Sequence, residues 1–99
     1  TAMVEGQRHN LISCDPSSDQ NFAKEKAVSR SFSFFSRTEV TEFIPVKGTI
    51  SCVEVLDQWD DNTGGHAEIV NGGIGHEYVM VKITSERGRG FFFIIKVYT

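Results

Sequence analysis

Ninety-nine residues, 39% hydrophobic and with eight Phe against one Trp, are enough for one domain around one modest core. The formal net charge of −3 argues against a general affinity for nucleic acid or an anionic membrane, because both need a surplus of Lys and Arg; a local basic patch stays open. No apolar run reaches the ~18 residues of a membrane-spanning helix, so no membrane span is expected.

In chain order, residues 1–27 read as a polar, loop-rich N-terminal segment ahead of an antiparallel β domain over residues 28–99. The chain opens on Thr1-Ala2-Met3, as a processed precursor would. Asn10, Asn21, Asn62 and Asn71 all fail the Asn-X-Ser/Thr glycosylation pattern. The stretch SCDPSSDQNFAKEKA clusters Pro, Ser and Asp, which favour turns. A short helix over residues 19–27, capped by Ser18 or Asp19, is the one helical element the spacing offers. Cys14 in this segment and Cys52 further on bear on the redox compartment. Paired, they close a loop of about 38 residues, worth roughly 4 kcal/mol in the chain-entropy model. A small domain gains much from such a staple, so a disulfide is the preferred reading over two buried free thiols. No CxxC or HxxxH spacing supports a zinc site.

From Val28 onward the hydrophobic period is two. SFSFFS alternates Ser31 and Ser33 with Phe32 and Phe34. TEVTEFIPV follows, and Pro45 confines that run to a strand end or a sheet edge. In TISCVEVLD, Thr49, Ser51, Val53 and Val55 share one face, while Ile50, Cys52, Glu54 and Leu56 share the other. QWDDNTGG reads as a polar hairpin loop, HAEIV as a short strand and NGGIG as a second turn. EYVMVKITS sets Val79, Val81 and Ile83 against Tyr78, Met80, Lys82 and Thr84. Residues 85–90, around ERGRG, read as a tight hairpin turn with a cationic tip. GFFFIIKVY closes the chain. About six strands at hairpin spacing, with glycines at the turns, predict an all-β fold: one small antiparallel β-sandwich or barrel. The last strand is apolar on both sides, with Phe91, Phe93, Ile95 and Val97 on one and Phe92, Ile94 and Tyr98 on the other, broken only by Lys96. Such a strand is covered on both sides, or its outer side meets a partner.

Each chemical motif has a competing structural reading. Arg89-Gly90-Phe91-Phe92-Phe93-Ile94 matches part of an RNA-recognition signature, yet Phe92 replaces a small residue, Lys96 replaces the final aromatic, and no helix and strand follow. No nucleic acid is therefore expected. Asp57, Asp60, Asp61 and Asn62 supply hard oxygens and are weak calcium candidates, but EF-hand spacing fails: Gly64 holds the fifth place from Asp60 and Asn71 the twelfth. No metal and no cofactor is expected. NGGIG lacks the Lys-Ser/Thr of a phosphate loop and precedes a strand, so a turn is the better reading. His9, His66 and His76 converge with no nucleophile motif. Glu54 stands alone on a partly apolar face, and one acid without a partner does not make an enzyme. The candidates for partner binding are Phe92, Ile94 and Tyr98 on the outer side of the last strand, with Arg87 and Arg89 at the turn before it. A homodimer through the last strand is one way to cover that side.

TISCVEVLDQ and DDNTGGHAEIVNGGIGHEYVMVKITSERGRGFFFIIKVY together resemble the insect family named after the transcription activator multiprotein bridging factor 2 (MBF2). Asp57-Gln58, Gly64-Gly65, Ile69, Gly72-Gly73, Gly75, Val79, Ser85, Arg87-Gly88, Gly90-Phe91, Phe93 and Tyr98 stand in the family's places, in order, over residues 49–98. In the first half only Gly6 and Arg8 match, and Cys52 falls where the family often has an aromatic or aliphatic residue. The resemblance implies a small secreted insect protein of saliva, gut or haemolymph, with no enzymatic activity, no cofactor and no catalytic residues. It also implies an alternative, an intracellular coactivator bridging transcription factors. A self-assembling structural protein is the third reading, from the last strand alone. The expectation is a secreted effector that binds a protein or a small ligand.

Overall fold

The computed structural model describes residues 10–31, 37–58 and 65–99. Among these residues there are seven strands: β1 (Leu11–Cys14), β2 (Phe22–Arg30), β3 (Glu39–Pro45), β4 (Cys52–Asp57), β5 (His66–Gly72), β6 (Tyr78–Thr84) and β7 (Phe91–Tyr98). All pairings are antiparallel, in a four-stranded sheet ordered β1-β4-β7-β2 and a three-stranded sheet ordered β3-β6-β5. The inner faces meet in one apolar cluster, so the fold is an antiparallel sandwich. Among the described residues there is no helix.

The two-residue period decides which side chains make that cluster. Phe91, Phe93, Ile95 and Val97 of β7 have no exposed surface, and Val79, Val81 and Ile83 of β6 meet them from the other sheet. Burying each such side chain contributes about 1.5–3 kcal/mol. Ile50 departs from the expected alternation. It precedes β4, off the strand, and is buried in the core.

The sheet starts earlier than the polar composition of the first 27 residues suggests. Leu11–Cys14 is already a strand, and the segment read as a helix over residues 19–27 runs mostly within β2. β2 is an edge strand, exposed except at Val28, so it carries no alternation to betray it. The alternating SFSFFS stretch lies mainly at residues 32–36, outside the described residues.

Two of the expected hairpins are connections between sheets. β6 and β7 belong to different sheets, so residues 85–90 form an arch, closed by the Arg89 N–H donating to the Glu86 carbonyl at 2.9 Å. β4 and β5 also lie in different sheets. Among the described strands, only β5 and β6, joined by NGGIG, are both consecutive and paired. Gly72, Gly73 and Gly75 have φ of 71°, 100° and 88°, the left-handed region that favours glycine. The turn is also pinned to Ile50, two residues before β4: the Ile50 N–H donates to the His76 carbonyl at 2.8 Å, and the Gly75 N–H to the Ile50 carbonyl at 3.0 Å. At Gly72 a side chain would collide with the Tyr78 carbonyl, and the N–H groups of Gly73 and Gly75 donate to the Tyr78 and Ile50 carbonyls.

The edges are guarded. β1 has four residues, β3 ends in Pro45, and β2 carries Lys24, Glu25 and Lys26. Lys26 lies opposite the inward Ile95 and reaches across to Glu42 of β3 at 3.4 Å, linking the two sheets along one side.

Candidate functional site

The outer face of the four-stranded sheet follows from register. β7 presents Phe92, Ile94, Lys96 and Tyr98 outward, each half-buried between neighbouring strands. One row runs Cys14, Cys52, Tyr98, Phe22 across the four strands. The next runs Ile12, Glu54, Lys96, Glu25, and a third Leu56, Ile94, Ala27. Phe92 sits opposite Ser29, and its carbonyl accepts the Gln58 N–H at 2.9 Å. The face is therefore apolar at both ends with a band of alternating charge between. Ile12 and Phe22, 60% and 59% exposed, form its apolar margins.

Cys14 and Cys52 are directly opposed on β1 and β4, and their sulfurs are joined in a disulfide. The bond lies on the outer face because Val53 and Val55, of the opposite parity, point into the core. Cys52 is fully buried, beside Tyr98 in the register, and the Tyr98 and Phe22 rings meet edge to face at 5.9 Å. The ligand atoms of Cys14, Cys52 and Glu54 lie within 4.8 Å of one another, but both sulfurs are bonded to each other, so the trio offers a metal one carboxylate.

Glu54 has a partner after all. The Tyr98 hydroxyl donates to Glu54 Oε1 at 3.2 Å. The Tyr98 pKa is raised above the ordinary tyrosine value, first by desolvation, then by the negative charge of Glu54 and the hydrogen bond to it, then by Glu25. Asp15, in the turn after β1, is shifted the other way. Its carboxylate accepts from the Ser17 hydroxyl and N–H and from the Ser18 hydroxyl, which holds its pKa low.

The remaining sequence candidates scatter. Arg87 and Arg89 are exposed on the β6–β7 arch, at the Phe92 end of the sheet and about 20 Å along β7 from Tyr98. Phe92, Ile94 and Tyr98 share one face, as the alternation predicts. Of the calcium candidates, Asp57 is fully buried in the inner row opposite Phe93, and its N–H is held by Asn10 Oδ1 at 2.8 Å. Asp60, Asp61 and Asn62 lie outside the described residues, as does His9. His66 is exposed beside Glu68 at 3.9 Å, and His76, in the turn at the far end of the same strand, meets the Tyr78 ring edge-on at 5.7 Å.

A second exposed feature escaped the sequence reading. Phe43, 56% exposed, lies 5.7 Å from Tyr78 on the outer face of the three-stranded sheet. Cross-strand register brings the two rings together, and no local motif announces it.

The sequence profile of the family described as Transcription activator MBF2 matches residues 16–99, well beyond the second half that carries the recognisable motifs. Over 50 residues the chain is 38% identical to a protein described as a probable salivary secreted peptide from Bombus ignitus. That match covers 50% of this chain and 37% of the relative, so the aligned stretch spans little more than a third of the relative's length. No solved structure matches the chain.

Proposed function

The chain belongs to the family described as Transcription activator MBF2, and from that premise we propose that it is a secreted, non-enzymatic protein that acts by binding. The observation that carries this reading is the Cys14–Cys52 disulfide, because such bonds persist in oxidising, extracellular compartments. The similarity to a protein described as a salivary secreted peptide supports the same compartment. The outer face of β1-β4-β7-β2, apolar at both ends, supports binding. Mass spectrometry of the protein from its native tissue, before and after reduction, tests it. The expected result is a bonded pair in an extracellular fraction; two free thiols in native protein overturn it.

The family's description favours a second reading, a coactivator that bridges transcription factors. The two separate by location and redox state together. A nuclear pool with reduced Cys14 and Cys52 would favour the coactivator.

A further inference from the structure

We propose that the cleft between the start of β2 and the end of β3 binds a small amphiphile: an anionic head of carboxylate, sulfate or phosphate-ester type on an apolar body. The cleft has a volume of about 410 Å³ and is lined by Phe22, Lys24, Pro45, Val46, Lys47 and Thr99, among others. That size is within the ~300–1,000 Å³ usual for small-ligand sites.

A β-bulge builds it. Phe22 pairs with Tyr98 and Lys24 pairs with the adjacent Val97, so Ala23 is the extra residue. Phe22 thereby stays in the outer row with its ring against Tyr98, while Lys24 takes the inner side opposite Val97. Though they lie on opposite faces of this edge strand, both residues line the cleft at its end. β3 supplies the other wall, where Pro45 ends the strand and Lys47 follows in the turn.

The chemistry of the lining selects the ligand. The backbone donors of Val46 and Thr99 are already used, on the Glu77 and Asn21 carbonyls at 3.0 and 2.8 Å. The charged side chains of the lining are those of Lys24 and Lys47, and no lining side chain is a carboxylate. Lys26 and Lys82, by contrast, are paired with Glu42 and Glu39. In a chain of net charge −3, two lysines on one cleft with no acidic side chain in its lining mark a local preference for an anion. Phe22, 59% exposed, supplies apolar surface that an inorganic ion would leave unused. Two cations are too few for a nucleic-acid backbone.

The proposal names a ligand class for the binding reading above, and its test is separate, since neither secretion nor the disulfide enters it. The full chain is titrated with decanoate and octanoate, the neutral octyl glucoside, and acetate or inorganic phosphate, all below micelle concentrations, with amide shifts read by NMR. Saturable decanoate shifts confined to residues 21–24, 45–48 and 97–99 are expected. Each added methylene should tighten binding about fourfold until the cleft is filled. Replacing both lysines (Lys24→Gln with Lys47→Gln) should weaken decanoate about tenfold or more and leave octyl glucoside unchanged. Phe22→Ala should weaken decanoate relative to acetate. Equal binding of octyl glucoside, equal binding of acetate or phosphate, or shifts centred elsewhere would each overturn the proposal. Should a variant fail to fold, the dependence of wild-type binding on head charge and chain length still decides it.

Discussion

Phe92 and Phe93 are chain neighbours with opposite fates, and the difference sets their energetic weight. Phe93 is sealed between the sheets, so Phe93→Ala should cost about 3–5 kcal/mol. Phe92 is only half-buried on the outer face, and Phe92→Ala should cost a fraction of that, about 1 kcal/mol. Urea midpoints at unchanged m-values read both. Tyr98 makes a second prediction. It should ionise only above the usual 10.0, and Glu54→Gln should lower its pKa part of the way, because desolvation remains the larger cause. Ultraviolet absorbance titration follows it. Since the folded state holds this proton more tightly than the unfolded chain, Tyr98's contribution to stability is present below the unfolded pKa and is lost as pH rises through the folded one. Asp57 shows where residue type misled the sequence reading. Its parity with Val53 and Val55 already placed it in the core, but an Asp beside an acidic loop reads as a ligand.

At the scale of elements, the sequence reported the strands that have a dry side and a wet or half-covered side. β6 and β7 were legible because their alternation is complete. β2 was not, because an edge strand exposed on both sides has no pattern, and AKEKA has the composition of a helix. β1 is too short for a period to register. Hairpins and arches use the same turn residues, so the sheet to which a strand crosses was invisible locally. For the candidate site, the shared face of Phe92, Ile94 and Tyr98 could be read from parity, whereas the Tyr98–Glu54 bond and the cleft at Lys24 and Lys47 depend on which strands become neighbours. The disulfide ties the weakest element to the sheet. With Cys14→Ser and Cys52→Ser together, stability should fall by about 2–5 kcal/mol, and amide exchange should rise first in Leu11–Cys14.

The molecule measures 41 × 31 × 17 Å along its principal axes. The outer face of the four-stranded sheet offers roughly 400 Å² from its strand spacing and length, about half of the ~800 Å² per partner of a stable interface. Self-association through Phe92, Ile94 and Tyr98 would also have to cover the row of Glu54, Lys96 and Glu25. Light scattering should therefore show a monomer at micromolar concentration, and any dimer seen at high concentration should be abolished by Ile94→Lys. Strand order also governs how the chain reaches this shape. Among the pairings of described strands, only β5 with β6 joins consecutive strands. Leu11 must find Val55, and Phe22 must find Tyr98. Loop-closure entropy opposes each search before any contact rewards it, which places folding among the millisecond-to-second sandwiches rather than the microsecond bundles. Through that interval β7, apolar on both sides, lies open to other copies of itself. The glycine-rich β5–β6 hairpin, whose strands are neighbours in the chain, is the pairing with the shortest loop to close before that exposure ends.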